Sequence, residues 1–104
     1  EHFGREVARL VAANTFNSKI EDKTEQNREM FSRCKSYGRT ALLIKAADIL
    51  DNSRYWHLLA DKKLSQWLIW KIDYFLQISL PELEKEPVWH KLSQRSQQLN
   101  SKVN

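Results

Sequence analysis

Lys45, Asp48 and Asn52 stand in and just beyond Ala41–Leu50, the most apolar window of the chain. Such a window reads as a buried helix, and a buried helix rarely keeps a lysine or an aspartate that is neither paired nor used. At about 100° per residue, the spacing i, i+3, i+7 brings the three side chains within roughly 60° of one another on the helix surface. Ala41 lies on the same stripe, while Leu42, Leu43, Ala46, Ile49 and Leu50 occupy other faces. One carboxylate, one ammonium and one amide on a narrow stripe have the makings of a metal or phosphate site. Plainer readings stand beside that one. Lys45 and Asp48 also suit an intrahelical ion pair, Asp48 a cap toward a neighbouring segment, and Asn52 a C-terminal helix cap.

The run Ile44-Lys45-Ala46-Ala47-Asp48-Ile49-Leu50-Asp51-Asn52 resembles the last signature of the HD superfamily of metal-dependent phosphohydrolases. It is closest to the guanosine tetra- and pentaphosphate hydrolase domain of the RelA/SpoT group, where a Lys-x-Ala-Asp-x-x-x-Asn helix closes the site. Phe3-Gly4-Arg5-Glu6-Val7-Ala8-Arg9-Leu10-Val11, followed by Asn14-Thr15, resembles an earlier helix of that family and its exit. Asn27-Arg28-Glu29-Met30 resembles the helix before the Asp helix. Together these matches cover residues 1 to 54 in the family's order. The resemblance implies that Asp48 is the final metal ligand and Asn52 a contact to the nucleotide, with Lys45 the matching helix lysine beside the substrate. It implies a divalent cofactor, commonly manganese, and a nucleotide substrate, plausibly a guanosine 3′-diphosphate. Leu50-Asp51-Asn52 departs from the Leu-His-Asn of many bacterial members, and Ser53-Arg54 replaces their Met-Arg.

The family takes its other metal ligands from an earlier His and a His-Asp pair. The three histidines here are followed by Phe3, Leu58 and Lys91, so the chain has no His-Asp dipeptide. The family's Glu-Asp pair would fall before Glu1. The sequence therefore reads as the C-terminal portion of a longer HD domain. One carboxylate cannot hold a catalytic divalent ion, so the 104-residue chain is expected to bind manganese weakly and to hydrolyse nothing. Its expected partners are the rest of that domain, or a second copy through the apolar surface left exposed, with Phe3, Leu43 or Ile44 as components. A non-catalytic helical interaction module with an HD-like skeleton is the alternative.

Composition sets the frame that must position these residues. A chain of 104 residues is one domain or less, and Gly 2 and Pro 2 disfavour a turn-rich β architecture. Four Trp, four Phe and three Tyr supply the apolar bulk of a helical core. The expected fold is an all-α bundle of about five helices, the later half of an HD domain. The net charge of +4 is dispersed, as on a solvated helix exterior, and is compatible with anionic ligands. Cys34 is the single cysteine, which excludes an internal disulfide and fits a reducing compartment. No 18-residue apolar run or leader is present, so a soluble, cytoplasmic protein is expected.

Along the chain, Phe3, Val7, Leu10 and Val11 predict a first helix over residues 2 to 13. Asp22-x-x-Glu25 has the spacing of a helix start; the second helix carries Met30, Phe31 and Cys34 and stops near Gly38. The third runs from about Arg39 to Asp51, and a long amphipathic one from Asp61 to Ile78. Pro81 and Pro87 punctuate the next segment, with Pro87 suited to the first turn of a last helix whose polar end, from Ser93, is expected to fray. Trp56, Trp67 and Trp70 read first as core; Trp67 and Tyr74 are also candidates to stack on a base. Lys19 and Lys23 lie where relatives carry a phosphate-contacting lysine, though surface lysine is the default. A DNA-reading helix is disfavoured, because Ala41–Leu50 is too apolar for a groove.

Overall fold

The computed structural model describes residues 2–13, 17, 19–58 and 61–103, with the side chains of residues 2, 3 and 103 left aside. Five α-helices follow one another: α1 (His2–Ala13), α2 (Lys23–Tyr37), α3 (Arg39–Asn52), α4 (Lys62–Leu83) and α5 (Pro87–Val103). A 3-10 turn, Trp56–Leu58, lies between α3 and α4. The chain is an all-α bundle. No described helix is long and apolar enough to cross a membrane.

Local chemistry explains most of the boundaries. Asp22 precedes α2 and its carboxylate accepts from the Glu25 N–H at 3.0 Å, one of the donors that a helix start leaves unmet. Asp61 does the same for α4, accepting from Lys63 and Leu64 at 2.8 and 3.3 Å. Gly38 ends α2 with φ +107°, a backbone state that only glycine enters cheaply, and this lets α3 begin at the next residue. Pro87 opens α5, where a missing N–H leaves no bond unmade.

α2, α3 and α4 enclose the centre of the core. Phe31 lies between Tyr74 and Phe75, with ring centroids 6.1 and 5.3 Å away. Met30, Leu42, Ala46, Ile49 and Ile72 complete this centre, all fully or nearly fully buried. The C-terminal end of α1 is tied down by side chains of α2, because its last carbonyls have no helical partner. Arg33 donates to the Ala12 carbonyl at 2.5 Å, and the Cys34 thiol to that of Ala13 at 3.1 Å. Burial pushes the Cys34 thiol above its ordinary range. Cys34 should therefore react with a disulfide reagent at least ~100-fold more slowly in the native protein than in urea. Comparable rates would place the thiol outside the core.

Two expectations about the C-terminal half need correction. The long helix does not stop at Ile78; it continues through Pro81 to Leu83. Leu83 is completely buried, and Lys35 of α2 donates to the Ile78 carbonyl at 2.6 Å, so tertiary contacts hold the turn that Pro81 weakens. Nor does the chain fray after Ser93: α5 is helical to residue 103. Leu92, Ser96 and Leu99, at i, i+4 and i+7, form a buried stripe against α4, and Ser96 Oγ donates to Asp73 at 2.5 Å.

The apolar face of α1 is only partly covered. Leu10 packs against the core, whereas Val7 is 44% and Val11 60% exposed. Ile44 on α3 is 42% exposed; Leu43 is half-buried against the core. Asn14 and Thr15, and the side chain of Phe3, lie outside the described residues.

Candidate functional site

The three residues of the polar stripe meet. Lys45 Nζ lies 3.3 Å from Asp48 Oδ2, and the Asn52 amide donates to Asp48 Oδ1 at 3.3 Å. Their environments differ sharply. The Lys45 side chain is only 6% exposed, whereas that of Asp48 is 50% exposed. The carboxylate thus stands at the surface end of a charge pair whose other end is buried, and it is open to an approaching ligand. The ion pair of the plainer reading does form, in a geometry that leaves Asp48 accessible. Ser53, not Asn52, is the residue that caps α3. Asp51 pairs with Arg54 at 3.5 Å on the exposed side, away from the stripe.

Beyond Asn52 the chain turns and builds a cleft of about 200 Å³ between the end of α3, the 3-10 turn and α4. Its walls are Tyr55, Trp56, Leu64, Trp67 and Leu68, and its polar groups belong to Asn52, Ser53 and Lys71. That volume is below the roughly 300–1,000 Å³ of drug-sized pockets and suits one ring system rather than a whole nucleotide. The wall is braced from α5. Arg95 donates to Ser53 Oγ at 2.8 Å and to the Leu50 carbonyl at 3.4 Å, while Lys102 donates to the Trp56 carbonyl at 3.0 Å.

An aromatic ladder runs along α4 beside this cleft. Trp67 and Trp70 stack at 5.0 Å, and Trp70 and Tyr74 at 5.4 Å, both 16° from parallel. Cations from α2 lie on it: Lys23 Nζ is 4.9 Å from the Trp67 ring centre, and the Arg28 guanidinium 5.7 Å from that of Trp70. The ladder separates the two stacking candidates. Trp67 forms a cleft wall, whereas Tyr74 is sandwiched between Trp70 and Phe31. Trp56, Trp67 and Trp70 are all half-buried, and of these Trp56 packs against the core. Of the two loop lysines, Lys23 reaches this region, while Lys19 is exposed and its N–H donates to Asn17 Oδ1 at 3.0 Å in a local turn.

Lys71 is the functional candidate that the sequence pattern alone does not single out. Burial pushes its ammonium below the ordinary lysine range, repulsion from Lys45 and Lys23 acts in the same direction, and attraction to Asp48 opposes them. The cleft and the stripe thus share one electrostatic environment, in which three lysines outnumber one carboxylate. Asn27 of α2 adds a buried acceptor. Its Nδ2 donates to the Lys23 carbonyl at 2.9 Å, and its Oδ1 has no hydrogen-bond partner among the described residues.

For a divalent ion, Asp48 fits one position of a centre, being an oxygen donor with solvent access. Among the described residues, no three His, Cys, Asp or Glu side chains converge as a ligand set. His57 is exposed on the 3-10 turn, and His90 Nε2 lies 2.6 Å from the Glu84 carbonyl, between α4 and α5. Comparison of the chain with protein-family models, curated proteins and solved structures gives no match.

Proposed function

We propose that this chain is the later half of an HD-type phosphohydrolase domain that acts on a nucleotide, with guanosine 3′,5′-bis(diphosphate) as its substrate. The observation that carries this reading is the contact chain Lys45–Asp48–Asn52 at the edge of a ring-sized cleft. In this reading Trp67 forms an apolar wall beside the base and Asn52 orients the sugar. Lys45 and Lys71 offset the phosphate charge. Asp48 supplies one ligand to a divalent ion, manganese in the group the sequence resembles, and the early His and His-Asp motifs of the domain supply the others. When bound, such an ion polarises a phosphoryl oxygen and lowers the pKa of a coordinated water.

The alternative, a non-catalytic helical interaction module, draws its support from the exposed Val7, Val11 and Ile44. Those residues suit equally well the seat of the domain's early half, so support for the phosphohydrolase reading rests on the polar stripe. In a domain carrying the early motifs, Asn52→Ala should raise KM for guanosine tetraphosphate by about three- to tenfold, as expected for one lost hydrogen bond. Manganese content should stay unchanged. An unaltered KM, or loss of the metal, would remove Asn52 from the substrate side.

A further inference from the structure

Lys71 has a setting unlike that of the chain's surface lysines. It is half-buried in the cleft, between the apolar walls of Leu64, Trp67 and Leu68. Among the described residues, no carboxylate comes within ion-pair distance of it. The charged groups that bear on it are Lys45 and Asp48 from α3 and Lys23 from α2. Lys23 also holds its charge over the Trp67 ring, which places a cation beside a flat aromatic wall.

An amine in a low-polarity cleft with cationic neighbours is the setting that turns lysine into a carbonyl-reactive group. We propose that Lys71 is a nucleophilic amine, and that the cleft accepts single-ring aromatic aldehydes bearing an anionic group as an imine on Nζ. The ring lies against the apolar walls of Leu64, Trp67 and Leu68, within the space of about 200 Å³, and the anion is drawn by the charge of Lys23 beside Trp67. In its neutral form Nζ attacks the carbonyl carbon, forming the C–N bond, and the carbonyl oxygen takes up a proton. The nitrogen then gives up its remaining protons as the hydroxyl leaves as water, so amine plus aldehyde yields imine plus water with no change in oxidation state. Solvent reaching the open cleft carries the protons.

This inference concerns the chain as it stands and does not depend on the phosphohydrolase reading. Pyridoxal 5′-phosphate is the probe, with borohydride added to reduce the imine and peptide mapping to locate the label. Lys71 should be labelled about tenfold faster than the exposed Lys62 and Lys85. Inorganic phosphate should slow the labelling of Lys71 and leave that of the exposed lysines unchanged. In Lys71→Arg, which keeps the charge but forms no imine, the fast phase should vanish while helicity is retained. Equal labelling of all lysines, or a fast phase that survives Lys71→Arg, would overturn the proposal. An unchanged rate in phosphate would overturn its anionic part. Mapping of the unsubstituted chain decides the matter even if the variant folds poorly.

Discussion

Phe31→Ala should remove a large share of the stability of the bundle. Phe31 is fully buried and touches the rings of Tyr74 and Phe75, so it joins α2 to α4 at the centre of the core. Truncating a buried phenylalanine loses its transfer free energy and leaves a cavity, together about 3–5 kcal/mol. A domain of this size has only about 5–15 kcal/mol in all. The midpoint of thermal unfolding should fall by about 12 °C or more, at 4–8 °C per kcal/mol. Val11→Ala provides the contrast, since Val11 is 60% exposed; its effect should stay within about 0.5 kcal/mol. Urea or thermal melts of the two variants followed by circular dichroism measure both effects. Equal losses would mean that the packing centre lies elsewhere.

The parts of the fold that were legible in the sequence are those governed by local rules. Asp22 and Glu25 mark the start of α2, Gly38 its end and Pro87 the first turn of α5, because capping, positive φ and the missing N–H of proline act within a few residues. The end of α4 was hidden, because a proline in the last turns normally stops a helix. The burial of Leu83 and the contacts of Lys35, distant in sequence, with the Ile78 carbonyl and Glu82 keep it going. The second half of α5 was hidden for a related reason. Its composition after Ser93 is polar, and the stripe that holds it has a serine between two leucines, Leu92 and Leu99.

The site followed the same division. Lys45, Asp48 and Asn52 lie on one helix, so periodicity alone brought them together, and the structure places them in contact. The cleft beside them is assembled from three segments of chain, and no local pattern announces that Tyr55 and Trp56 face Leu64 and Trp67. Lys71 did carry a signal. It interrupts the apolar stretch between Trp70 and Ile72 as Lys45 interrupts that between Ile44 and Ala46. The rule that singled out one buried-helix lysine applies equally to the other. Choosing Trp67 over Tyr74 needed the ladder geometry, because both share one face of α4.

The second large effect belongs to Asp48 and tests the proposed inheritance of a metal-dependent site. Asp48→Asn keeps the shape and leaves an amide oxygen to accept from Lys45, but it takes the countercharge from a buried ammonium, so the fold should survive at some cost in stability. The substitution removes the negative charge that a divalent ion requires. Altering an outer-shell partner of a metal ligand already reduces affinity or activity by about 10–100-fold, so loss of a ligand should exceed that. The decisive measurement is the manganese content and manganese-dependent release of pyrophosphate from guanosine tetraphosphate, in a domain carrying the early His and His-Asp motifs, with and without Asp48→Asn. Metal and turnover should disappear together while the helical fold is retained. Full turnover with manganese retained in the Asp48→Asn protein would contradict the account.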